Sequence, residues 1–141
     1  MQAASTTPPS DDLDPRLLAD TRPVADLSLC RVLLMNDSRW PWLILVPRRT
    51  GVVELFDMAS EDRAALTEEA SRCAEALKAA TSCEKINVAT LGNSVRQFHL
   101  HVVARSTDDP NWPRPVWGFE TATPYDDDNA DEFVRALRES L

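Results

Sequence analysis

Histidine, glycine and tyrosine are scarce in this chain of 141 residues, which has two, three and one of them respectively. Any imidazole chemistry therefore falls to His99 and His101 alone. Cysteine is sparse too: Cys30, Cys73 and Cys83 are odd in number and form no C-x-x-C pair, which excludes a disulfide framework or a zinc ribbon. Buried free thiols in a reducing cytoplasm fit that usage. No apolar run approaches the ~20 residues that span a bilayer, and the Ser/Thr/Pro-rich start lacks the basic and apolar regions of a secretory signal. A soluble cytoplasmic protein with no membrane partner is the expectation. Basic charge is outnumbered, 15 Lys and Arg against 23 Asp and Glu for a net charge of -8, which argues against binding the phosphate backbone of a nucleic acid. A small anion at a local site remains allowed.

The length suits a single domain with a real hydrophobic core. Residues 1–12 read as a disordered tail and 13–141 as one domain. Asp14-Pro15 predicts a helix start, and Pro23 closes that short region. Leu29 to Met35 and Trp42 to Val46 read as buried strands joined in a hairpin across Asn36-Asp37-Ser38, a trio that serves either as a turn or as polar groups for a ligand. Arg48 and Arg49 read as a solvated surface pair. The clearest helix has Ser60 as its N-cap and Leu66, Ala70, Cys73 and Leu77 on one face. Lys85 to Ala89 predicts a third strand. The proline-rich stretch 108–118 reads as an ordered loop pinned by its tryptophans. An acidic turn, Asp126 to Asp128, leads to a final helix from about Ala130 to Leu141, packing Phe133 and Leu137. The fold class is α+β, an antiparallel sheet with helices packed on it.

The two histidines lie in Gln97-Phe98-His99-Leu100-His101-Val102-Val103-Ala104-Arg105. A strand there puts Gln97, His99 and His101 on one face and Phe98, Leu100 and Val102 on the other. The preceding turn, Gly92-Asn93-Ser94, offers grouped amides and a hydroxyl that can receive an anion, although turn formation alone also explains it. Three readings compete. In one, His99 attacks phosphorus and forms a covalent intermediate, with the turn neutralising phosphate oxygens and His101 holding the phosphate or assisting the leaving oxygen. In another, the pair ligates zinc in a hydrolase, although no third ligand is obvious. In the last, the histidines only hydrogen-bond within a binding module or scaffold.

From Asn87 through Gly92-Asn93-Ser94 to Gln97-Phe98-His99-Leu100-His101-Val102-Val103, the segment closely resembles the signature of the histidine triad (HIT) family, His-φ-His-φ-His-φ-φ with φ apolar. The resemblance extends over about residues 15–105, and the later Trp-Pro-Val-Trp-Gly stretch looks like one found in a bacterial subgroup with Gln in the first triad position. It implies a nucleotide hydrolase or transferase cleaving at the α-phosphate of an ester, anhydride or phosphoramidate through a nucleotidyl-histidine. Such proteins are usually homodimers and require no metal or other cofactor. Carried over by position, His99 is the nucleophile and His101 contacts the phosphate. Gly92, Asn93 and Ser94 form the phosphate-facing turn, Asn87 gives a nearby polar contact, and Asp37 or Asn36 binds the ribose hydroxyls. Two positions depart from the pattern. Gln97 replaces the first triad histidine and cannot titrate, and Leu43 stands where many members have a further histidine. A nucleotide-binding module with little turnover is the alternative.

Overall fold

The computed structural model of the protein describes residues 11–141. The expected tail therefore lies outside the described residues as far as residue 10. Beyond it, Asp11 pairs with Arg31 and the Asp12 carbonyl accepts a hydrogen bond from Gln97.

Five antiparallel strands form one open sheet in the order β1-β2-β3-β5-β4: β1 Thr21–Asp26, β2 Cys30–Met35, β3 Trp42–Pro47, β4 Lys85–Thr90 and β5 Leu100–Arg105. Three helices complete it: α1 Pro15–Asp20, α2 Ser60–Thr81 and α3 Asp127–Ser140. The α+β expectation holds. β2 and β3 are the predicted hairpin, with Leu33 opposite Ile44, and β4 and β5 pair with Ala89 opposite His101.

β1 is a correction. Pro23 does not end the region but sits inside a strand, beside an irregularity between Pro23 and Ala25. Because β1 is an edge of the sheet, the missing proline N–H interrupts no inner ladder. Two helix starts also differ. Ala59, not Ser60, is the N-cap of α2, which begins without a side-chain cap, and Glu61 and Asp62 favour that end through the helix dipole. Asp126 caps α3, so the acidic turn is the helix start rather than a lead into it. The Asp14 cap of α1 is as expected, its carboxylate accepting from the Arg16 amide at 2.8 Å.

Both faces of the sheet are covered. One packs Leu43, Leu45, Val102 and Ala104 against the α2 residues Leu66, Ala70, Cys73 and Leu77 and against Leu137 of α3. Period-2 alternation sends the neighbouring residues Trp42, Ile44 and Val103 to the other face, where they meet Leu17 of α1, Trp40 and Val116. Phe133 joins the first cluster as a partly buried residue. The arginines after β3 are not simply solvated: Arg49 pairs with Asp62 at 2.9 Å, and Arg48 donates to the Leu27 carbonyl.

Candidate functional site

The histidine stretch bends into its strand later than expected, because β5 begins at Leu100 and His99 stands just before it. The alternation nonetheless survives. Phe98, Leu100 and Val102 pack with the helix-covered core, and the rings of His99 and His101 meet on the other side, 4.9 Å apart and edge to face. Both are buried.

Two hydrogen bonds fix what each ring can do. His99 Nδ1 lies 2.7 Å from the Gln97 carbonyl oxygen, which only accepts, so Nδ1 carries a proton and, in the neutral ring, Nε2 keeps its lone pair. Trp42 donates its indole N–H to His101 Nδ1 at 2.9 Å, and an indole has no acceptor. His101 Nδ1 is therefore unprotonated, and in the neutral ring Nε2 bears the hydrogen. That Nε2 is buried with no hydrogen-bond partner. The His101 rings of contact are Trp42 at 5.6 Å and Trp117 at 5.0 Å between centroids.

Burial, aided by the neighbouring His99, lowers the His101 pKa from 6.5 to about 4, with the Leu91 backbone opposing weakly. The ring is neutral at physiological pH. Because the unfolded chain binds this proton more readily than the folded one, the contribution is complete above about pH 6.5 and is lost as pH falls toward 4. Urea unfolding across that window is expected to lose on the order of 3 kcal/mol that His101→Gln does not lose.

Trp42→Phe tests the indole bond. It keeps an aromatic ring but leaves His101 Nδ1 buried without a donor, at an expected cost of about 1–3 kcal/mol. Nitrogen NMR shifts of the imidazole should report loss of the single tautomer.

The remaining predicted residues are placed as follows. Gly92, Asn93 and His99 line one cavity of about 360 Å³ together with Glu54, Leu91 and Arg96, the last not foreseen from the sequence, whereas Ser94 is not on its wall. At Gly92 a Cβ would lie 2.8 Å from the Val95 carbonyl oxygen, so the turn closes this tightly on itself only with glycine there, while the His99 Cε1 atom, 3.8 Å away, would be in ordinary contact. The Gln97 side chain does not face His99's chemistry. Its Oε1 accepts from the Asp14 amide at 2.7 Å and its Nε2 donates to the Asp12 carbonyl at 2.8 Å. Leu43 is fully buried on the opposite face, in the α2 core, so the side chain of β3 that meets the histidines is Trp42. Asn87 joins a different cluster, accepting from Arg105 at 3.0 Å.

Asn36 and Asp37 lie on a second cavity, of about 430 Å³, with Trp42 and Trp117. Asp37 is 2% exposed and paired with Arg39 at 2.8 Å. Burial alone would raise its pKa, but hydrogen bonds from Arg39 and from the Thr123 amide hold it below the usual carboxylate range. Asn36 Oδ1 accepts from the Tyr125 amide, and the Thr123 carbonyl accepts from Ser38. The loop after β2 thus anchors the segment 119–125, a role the sequence reading did not foresee. Among the described residues no group of three or more His, Cys, Asp or Glu side chains is arranged to hold a metal ion.

The family model described as the HIT domain matches residues 17–108, which includes the histidine stretch and every strand. The chain belongs to the HIT family. Among solved structures, it is similar to a HIT protein from Sinorhizobium meliloti, at 50% identity and TM-score 0.91 over 92% of this chain and 96% of that one. A histidine triad protein from Bradyrhizobium japonicum shares 44% identity at TM-score 0.91, over 95% and 99% of the two chains. One from Marinobacter aquaeolei shares 42% at TM-score 0.89, over 92% and 95%. No curated protein matches this HIT chain by sequence. Membership suggests nucleotide binding with hydrolase or transferase activity.

Proposed function

We propose that this HIT protein cleaves nucleotide esters, anhydrides or phosphoramidates at the α-phosphate, with His99 as nucleophile, and that it belongs to a bacterial subgroup with glutamine in the first triad position. The observation that carries the reading is the bond from His99 Nδ1 to the Gln97 carbonyl, because it directs the Nε2 lone pair outward as the attacking atom. In the first step Nε2 bonds to phosphorus as the bond to the leaving group breaks. Positive charge grows on the imidazole, and the Nδ1–H bond to the carbonyl strengthens with it. Water then attacks phosphorus, the P–N bond breaks, and His99 is restored.

His101 supports this as a neutral donor: its Nε2–H makes no well-formed hydrogen bond, only a weak interaction with the Leu91 backbone, and is suited to a nonbridging phosphate oxygen. Gly92 lies close to the His99 ring and shares its cavity wall with Asn93, which favours phosphate contact by this part of the turn. Gln97 then acts through its backbone, held in place by its side-chain bonds to residues 12 and 14. A histidine side chain at that position is not required for the carbonyl to orient His99. For the nucleoside, the cavity between Trp42 and Trp117 offers aromatic walls and the Asn36 amide, whereas Asp37 is already engaged by Arg39 and Thr123.

A homodimer is part of the proposal. β4 is the outer strand, so one of its edges has unpaired backbone groups, and Val88 and Leu91 near it are about half exposed. Three buried free thiols suit a reducing cytoplasm. The test is to incubate the protein with dinucleoside polyphosphates and nucleoside phosphoramidates. Release of a nucleoside monophosphate supports an enzyme, whereas saturable binding without product supports the binding module.

A further inference from the structure

Arg96 stands apart from the protein's other site residues. It is exposed at the mouth of the His99 cavity and, among the described residues, forms no ion pair or hydrogen bond. Most other arginines close to the functional surfaces are engaged: Arg39 with Asp37, Arg49 with Asp62, Arg105 with Asp109. A cation left free in a chain of net charge -8 is oriented by no carboxylate of its own. It shares the cavity wall with Gly92, Asn93 and His99, and with one carboxylate, Glu54, with which it forms no ion pair.

We propose that Arg96 forms the leaving-group subsite and selects substrates whose leaving group is a phosphate chain. This rests on the reading of His99 as the atom that takes the α-phosphoryl group. If the α-phosphate sits at His99, the next group out lies within the same cavity, where a guanidinium meets phosphoryl oxygens through paired N–H bonds.

The acid-base inventory points the same way. An amine must leave with a proton, whereas a phosphate oxygen departs as a stabilised anion. Gln97 has no proton to give, and its side chain is bound to residues 12 and 14. His101 is neutral at physiological pH, and a neutral imidazole N–H is a donor of hydrogen bonds rather than of protons. Glu54 is the one carboxylate on the wall. The site is thus equipped to neutralise an anionic leaving group by charge. During the first step the P–O bond to that group breaks as the P–N bond forms, and its electron pair stays on the departing phosphate oxygen beside Arg96.

Equilibrium binding of AMP and ADP separates the subsite from the rest of the site, because only ADP carries a group beyond the α-phosphate. The wild type is expected to bind ADP roughly tenfold more tightly than AMP, the ratio falling toward one in Arg96→Gln and partly returning in Arg96→Lys. A ratio near one in the wild type, or one unchanged by Arg96→Gln, overturns the inference while leaving AMP binding at His99 intact. Absence of binding by either nucleotide overturns the nucleotide reading itself and this inference with it. Thermal unfolding of both variants checks that the fold is kept.

Discussion

On the proposed mechanism, His99→Ala is expected to lower the release of nucleoside monophosphate by roughly four orders of magnitude or more, since the substitution would remove the attacking atom rather than a contact to it. No other imidazole can replace it. His101 is the only other histidine, its Nδ1 is occupied by the Trp42 indole, and its Nε2 bears the hydrogen. The residual rate would come from phosphate positioning by the turn and by His101. Nucleotide binding should survive, because binding depends on cavity walls that alanine leaves in place. The ring is buried, so a modest loss of stability is also expected and is checked by urea unfolding. Turnover equal to that of the wild type would remove His99 from the mechanism.

Arg105→Ala is expected to cost about 3–5 kcal/mol of folding stability, the largest effect foreseen away from the histidines. Arg105 is 1% exposed at the end of β5. Its guanidinium donates to both oxygens of Asp109 at 2.7 and 3.1 Å, to the Asn87 side chain and to the Arg114 carbonyl, and it lies 5.7 Å from the centre of the Trp112 ring. Burial would raise the Asp109 pKa, but hydrogen bonds from Arg105, then from the Trp40 indole and the Ser106 and Asn111 amides, together bring it down to about 2. Truncating the arginine leaves that carboxylate buried without its cation. Replacing both members, Arg105→Met with Asp109→Leu, should recover much of the loss because no unpaired charge remains. The cluster also holds the segment that carries Trp117 onto His101, so Arg105→Ala should weaken activity even below its unfolding temperature. Urea unfolding and turnover measured on the same samples check both effects.

The parts of the fold that the sequence declares are those with a strong period. α2 repeats its small and apolar residues at helical spacing, and the β4–β5 hairpin carries its turn and its alternating faces openly. β1 was hidden because it is short, polar and contains proline, features that an edge strand tolerates and a central strand does not. β3 posed a different problem. Both its faces are buried, so Trp42, Leu43, Ile44 and Leu45 are all apolar, and composition does not say which of them meets the histidines. Pairing decides it: Ile44 lies opposite His101, so Trp42 and not Leu43 shares that face.

The candidate site was legible where the chemistry is local in sequence. Gly92, Asn93 and His99 come together as the short hairpin requires. What was not legible is which polar atoms the rest of the chain would occupy. Asn36 and Asp37 hold residues 123 and 125, Asn87 meets Arg105, and Gln97 bonds to residues 12 and 14, all over long sequence separations. One partial signal was available for Arg105: a strand that ends on an arginine with an aspartate four residues later. Gln97 gains a specific meaning from these contacts. Its side chain bonds to the N-terminal segment while its carbonyl holds His99 Nδ1, so on the proposed mechanism a glutamine here still orients the attacking ring.

The most direct test is to look for the bond between His99 and phosphorus. Protein mixed with an α-labelled dinucleoside polyphosphate, quenched at alkaline pH where phosphoramidate bonds persist and digested for mass spectrometry, should yield one nucleotidylated peptide containing His99, absent from His99→Ala. Turnover with no such adduct under single-turnover conditions, or an adduct on another residue, would contradict the account.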